Sequence, residues 1–113
     1  MCGIVGITSN KQVTSSIINS LRKLEYRGYD SAGIATLNDG FINEVKCEGR
    51  VETLEKNLSK NKLQGNIGIG HVRWATHGNP STINAHPHSS EKVSVVHNGI
   101  IENSTILKKY LIK

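Results

Sequence analysis

Asn38-Asp39-Gly40 separates two runs of strand-forming residues, Ser31 to Leu37 and Phe41 to Cys47. A turn this short, with Gly where positive φ is needed, folds the second run back along the first as a β-hairpin. Strands joined this way are antiparallel. The sheet is therefore antiparallel or mixed, and a purely parallel βαβ fold is excluded.

The remaining elements build around that hairpin. Cys2 to Thr8 is a short β-branched apolar run and reads as a buried strand. Ser9-Asn10 is placed to cap a helix on which Val13, Ile17, Ile18, Leu21 and Leu24 share one face, with Gly28 placed to end it. Val51 to Leu58 is a shorter helix carrying Val51, Leu54 and Leu58 on one side. Gly65 to Trp74 reads as a glycine-rich strand with Ile67 and Ile69 alternating. Ala75 to Ser90 reads as a long surface loop, and Val93 to His97 as a further strand before the Asn98-Gly99 turn. A last helix, capped by Asn103 or Ser104, carries Ile106, Leu107, Tyr110 and Leu111.

The chain has 113 residues, enough for one core with much of the surface left in water. No apolar run reaches the roughly 20 residues of a membrane span. The N-terminus lacks the basic and long apolar segments of an export signal. Two cysteines without such a signal suggest reduced thiols and a cytoplasmic protein. Fourteen Lys and Arg against nine Asp and Glu give a net charge of +5, but the charges are scattered. That pattern fits ordinary solvated surface, with no nucleic-acid or membrane partner.

Four places can carry chemistry. Removal of Met1, favoured by a small second residue, would make Cys2 N-terminal. Its α-amine could then serve as base for its own thiol, an arrangement for nucleophilic catalysis. The alternative is a core cysteine in a first strand, and Cys47, in the hairpin strand, reads as core or surface filler. In the segment 70–78, Arg73 offers a planar fork for a carboxylate, Thr76 and His77 add polar groups, and Trp74 could cover a pocket. The alternative there is loop packing. Asn98-Gly99 can present a side-chain amide beside a backbone N–H, the two donors of an oxyanion hole, or it can simply close a hairpin. Arg27 to Gly33 permits close backbone approach and is weak alone. The histidines, His86 and His88 closest together, have no standard metal-ligand spacing, so no metal and no cofactor is expected.

Together, Met1-Cys2-Gly3-Ile4-Val5-Gly6, Leu24 to Gly33, His71 to Gly78, Asn84 to His88 and Val96 to Asn103 resemble the class II glutamine amidotransferases, which are N-terminal nucleophile hydrolases. The match runs along almost the whole chain, in order. Tyr26-Arg27-Gly28-Tyr29-Asp30-Ser31-Ala32-Gly33 and Arg73-Trp74-Ala75-Thr76-His77-Gly78 favour the sugar-phosphate branch over amidophosphoribosyltransferases and asparagine synthetases. The resemblance implies an α+β fold, a four-layer αββα sandwich. It implies Cys2 as nucleophile on L-glutamine, Asn98 and Gly99 holding the oxyanion, and Arg73 on the substrate α-carboxylate with Thr76 and His77 nearby. Trp74 would gate ammonia and His86 would support the site. The ammonia would go to fructose 6-phosphate on isomerase domains, in an enzyme that is a homo-oligomer at full length.

Family domains of this kind run beyond residue 113. Residues 1–113 are therefore expected to be the N-terminal portion of the amidotransferase domain, with an incomplete sandwich. The rest should hold an acidic residue for the glutamine α-amine. Exposed apolar sheet is expected where the facing layer is missing. The ending at Lys113, inside an amphipathic pattern, raises the alternative of a truncated or split-gene remnant without activity of its own.

Overall fold

A computed structural model describes residues 2–74 and 79–112. Four strands make one sheet: β1 (Gly3–Thr8), β2 (Ser31–Asn38), β3 (Phe41–Glu48) and β4 (Ile67–Arg73). Their order is β1-β4-β2-β3, with every neighbouring pair antiparallel. The hairpin forms as expected, with Asp39 and Gly40 at φ 51° and 80°. Two positive values in succession match the twist of the strands they join.

Helices α1 (Thr14–Leu24) and α2 (Val51–Lys60) cover one face of this sheet. Alternation along the strands sends Val5, Ile7, Ala32, Ile34, Val45, Cys47 and Val72 to that face. Val13, Ile17, Ile18 and Leu21 close on them from α1, and Val51, Leu54 and Leu58 from α2. Each fully buried Ile or Leu here contributes roughly 1.5–3 kcal/mol relative to an exposed one. Gly68 and Gly70 are the seats for α1. A Cβ on either would lie 2.6 Å from the side chain of Ile17.

The other face is half open. Ile4, Leu37 and Ile67 are 44%, 40% and 49% exposed, and Leu37 and Ile67 line an apolar recess of about 200 Å³ together with Ala35, Ile42 and Ile69. This is the uncovered apolar sheet expected of one layer of a sandwich without its partner. At one end the face is crossed by the segment after β4, which carries a small ribbon of β5 (His88–Ser89) and β6 (Ser94–Val95). Helix α3 (Ser104–Leu111) follows, and Ile106, Leu107, Tyr110 and Leu111 on it are all exposed.

Two local expectations are corrected. Ser9-Asn10 does not cap α1. The Ser9 hydroxyl instead accepts a hydrogen bond from the Lys11 N–H, a local turn, and the Val13 N–H donates to the Gly65 carbonyl. The helix therefore starts only at Thr14, with no side-chain cap. Val93 to His97 contracts to Ser94–Val95, because its described partner is only the two-residue β5. Gly28 does end the α1 turn, but in extended backbone at φ −178° and after a 3-10 turn over Glu25–Arg27. Asn103 stands at the N-cap of α3 without a side-chain capping bond.

Candidate active site

The register of the edge strand β1 on β4 fixes the site. Gly3 pairs with Val72, so one step further Cys2 falls opposite Arg73. Gly3 faces α1, since a Cβ on it would meet Leu24 and Val72. Alternation therefore turns Cys2 to the open face.

Cys2 is half-buried, and its Sγ lies 3.9 Å from the Trp74 carbonyl oxygen. Its own carbonyl accepts two hydrogen bonds, from Arg27 Nε at 3.1 Å and from Asn98 Nδ2 at 3.3 Å. Those donors come from the 3-10 turn after α1 and from a loop 96 residues away. Arg73 is nearly buried, and its Nη1 donates to the Asn79 carbonyl at 3.3 Å. Asn84 Nδ2 donates to the same carbonyl at 2.9 Å. The Arg73 guanidinium presents a planar fork of N–H donors. It is the natural seat for a carboxylate.

Trp74 follows β4 directly, with its ring edge-on to Tyr29 at 5.1 Å, and the Arg50 guanidinium lies 4.7 Å over the Tyr29 ring. The backbone beneath is pressed close. A Cβ on Gly28 would lie 2.5 Å from the Arg73 carbonyl carbon, and the Asp30 N–H donates to the Arg73 oxygen at 3.1 Å. So the 28–30 segment props the strand end that carries Arg73 and Trp74.

Asn98 and Gly99 are exposed, with Gly99 at φ 151°. No hairpin forms there, since no strand follows among the described residues. Thr76 and His77 lie outside the described residues. The Cys47 thiol is buried in the core and its pKa is pushed up by burial, which fits the filler role expected of it.

His86 is joined by a residue that sequence reasoning had not singled out. His71, fully buried on β4, stacks on His86 at 4.3 Å between ring centroids, and His86 contacts His88 at 4.4 Å. His71 Nε2 donates to the His97 carbonyl at 3.2 Å, and the His97 N–H donates to His86 Nδ1 at 3.2 Å. Burial, aided by the Arg73 and His88 charges and opposed at His71 by its hydrogen bond to the His97 backbone and by Asp30, holds both rings at a pKa of about 4; burial lowers His88 as well. Among the described residues no group of three or more His, Cys, Asp or Glu side chains is arranged to hold a metal ion. The signal for His71 was its place in the Ile67, Ile69, His71, Arg73 alternation on one strand face. Arg27 lay in a segment noted for its glycines and for the family resemblance, with no role given to its side chain.

No model of a known protein family matches the sequence. Curated relatives do. A glutamine–fructose-6-phosphate aminotransferase (isomerizing) of Clostridium acetobutylicum is 60% identical over 113 residues, 98% of this chain and 19% of its own length. Enzymes of the same name from Bartonella henselae and Bradyrhizobium diazoefficiens are 55% and 54% identical over the whole chain, again 19% of their own lengths. The chain thus spans about a fifth of the length of the curated relatives it matches. Among solved structures, the glutamine phosphoribosylpyrophosphate amidotransferase of B. subtilis, complexed with ADP and GMP, superimposes with a TM-score of 0.81. It is 27% identical and covers 99% of this chain and 25% of its own. The fold is that of one layer pair of an N-terminal nucleophile hydrolase, in an incomplete domain. By sequence along its whole length, this chain is a homologue of the N-terminal part of the glutamine–fructose-6-phosphate aminotransferases.

Proposed function

We propose that residues 1–113 form the N-terminal portion of a class II glutamine amidotransferase domain and carry the glutaminase half-reaction of glucosamine-6-phosphate synthesis. The substrate is L-glutamine. The ammonia is destined for fructose 6-phosphate on isomerase domains outside this chain, within a cytoplasmic homo-oligomer.

In this reading Met1 is removed and the α-amine of Cys2 takes the thiol proton. The thiolate attacks the side-chain carbonyl carbon of glutamine. Negative charge develops on the carbonyl oxygen, where the Asn98 side-chain amide and the Gly99 N–H hold it. The proton passes to the leaving nitrogen, ammonia departs, and a γ-glutamyl thioester remains on Sγ. Water then cleaves the thioester, releasing glutamate and restoring the thiol. Arg73 pairs with the α-carboxylate, assisted by Thr76 and His77. Trp74 gates the ammonia and His86 supports the site.

The observation that carries this reading is the meeting of Cys2, Arg73 and Asn98 at one end of the open sheet face, with Asn98 Nδ2 3.3 Å from the Cys2 carbonyl. The test is glutamate release from glutamine by the complete protein. The wild type releases it, and Cys2→Ala does not. Release at an equal rate by both proteins refutes the assignment.

A second reading, inactivity of the 113-residue chain alone, is favoured by the half-exposed Ile4, Leu37 and Ile67. Glutamate release by the isolated chain would refute it.

A further inference from the structure

We propose that His71 and His86 act as a positioning pair, a clamp of two stacked neutral imidazoles that grips both backbone polar groups of His97 and so sets Asn98 and Gly99. The proposal rests on the reading of those two residues as oxyanion donors.

The hydrogen bonds fix the protonation of each ring. A carbonyl can only accept, so His71 Nε2 must carry a proton to bond the His97 oxygen at 3.2 Å. A backbone N–H can only donate, so His86 Nδ1 must be unprotonated to receive the His97 N–H at 3.2 Å, which leaves the His86 proton on Nε2. The rings lie 4.3 Å apart and 23° from parallel, so each braces the other. His71 sits on β4, an inner strand of the sheet, fully buried, with Nδ1 enclosed and without a hydrogen-bond partner among the described residues. A proton added there would be a buried charge with no acceptor.

The groups facing the pair are Arg73, Asp30, His88 and His97, with Lys46 and Glu44 beside His88. Of these, the Arg73 and His88 charges favour neutrality, whereas Asp30 opposes it at His71 and Glu44 opposes it at His88. A third tie completes the seat: the Asn98 side chain reaches the Cys2 carbonyl at 3.3 Å. Residues 97 and 98 are thus fixed to β4, to the His86 loop and to the start of β1. An exposed loop of small and polar residues has few other means of holding two donors to the fraction of an ångström that oxyanion stabilisation needs.

The test uses the complete protein and conservative pairs of variants. His86→Leu removes the acceptor, whereas His86→Asn places Oδ1 where Nδ1 stands. His71→Leu removes the donor, whereas His71→Gln retains an N–H at a similar reach. In each Leu variant, kcat for glutamine hydrolysis should fall about tenfold or more with KM within about twofold, the signature of a transition-state interaction. In His86→Leu, exchange of the His97 amide proton should also rise about tenfold. The Asn and Gln variants should restore most of each loss.

A His86→Leu protein with wild-type kcat and His97 exchange overturns the clamp. Should a Leu variant fail to fold, ¹⁵N spectra of imidazole-labelled wild type decide. Both rings should be neutral with the proton on Nε2, and a proton on Nδ1 of either ring overturns the proposal. Exchange and tautomer are read without glutamine. A clamped protein that hydrolyses no glutamine therefore contradicts the glutaminase reading alone. One that hydrolyses glutamine with an unclamped His97 contradicts only the positioning pair.

Discussion

Replacing Gly28 with Ala puts a methyl group into the backbone that presents Arg73 and Trp74. The new Cβ would lie 2.5 Å from the Arg73 carbonyl carbon, 2.7 Å from the Trp74 nitrogen and 2.8 Å from the Arg73 oxygen. Non-bonded carbons rest about 3.5–4.0 Å apart, so the strand end must retreat by roughly 1 Å. The backbone of Gly28 is extended at φ −178°, which Ala adopts freely, so the whole cost is steric. Overpacking of this kind costs about 1–3 kcal/mol. A displacement of about 1 Å at a positioning group can cost about a hundredfold in rate. The assay compares urea midpoints and kcat/KM for glutamine hydrolysis between Gly28→Ala and wild type. Gly40→Ala is the control. It lies at the hairpin tip with φ 80° and nothing within 4 Å of its Cβ, so it should lose about 1–2 kcal/mol of stability and no activity. A Gly28→Ala protein with wild-type midpoint and wild-type kcat/KM would refute the propping role of the 28–30 segment.

Two further outcomes follow from the burial of specific groups. His71 and His86 are held at about 4 against an ordinary value of 6.5, so between those values the unfolded chain binds protons that the folded chain does not. Their contribution is complete above about pH 6.5 and is lost as the pH falls toward 4. The urea midpoint should therefore drop between pH 7.5 and 5, and less so in the His71→Gln, His86→Asn double variant; a slope unchanged by those substitutions contradicts the assignment. The two thiols should also separate. Cys2 is half-buried at the open end of the sheet, whereas Cys47 is 4% exposed with its pKa raised by burial. Iodoacetamide under native conditions should modify Cys2 and spare Cys47 until denaturant is added, and peptide mass mapping with Cys47 modified first would contradict this core.

Much of the scaffold was legible in local pattern. The Asn38-Asp39-Gly40 turn and the apolar faces of α1 and α2 rest on interactions within a few residues, and they appear where the sequence puts them. Elements that depend on distant partners were not legible in this way. Ser9 lost its capping role because the Val13 N–H is claimed by Gly65, more than fifty residues on. The strand expected over 93–97 shortened because its apolar run finds only β5 to pair with. Asn98-Gly99 carries a hairpin signal, yet Asn98 reaches back across the chain to Cys2. The same holds for the His71–His86 pair, which joins a strand to a loop fifteen residues later. The order of the motifs pointed to the family, but the register of β1 on β4 is what sets Cys2 opposite Arg73.

The most direct test of Cys2 as the glutaminase nucleophile is the site of attack by a glutamine-shaped electrophile. The complete protein is treated with such a reagent, digested, and mapped by peptide mass. One adduct on Sγ of an N-terminal Cys2, formed in step with loss of glutamine hydrolysis and prevented by excess glutamine, is the predicted result. An adduct on another residue, or full glutamine hydrolysis by protein that still carries Met1, would contradict it.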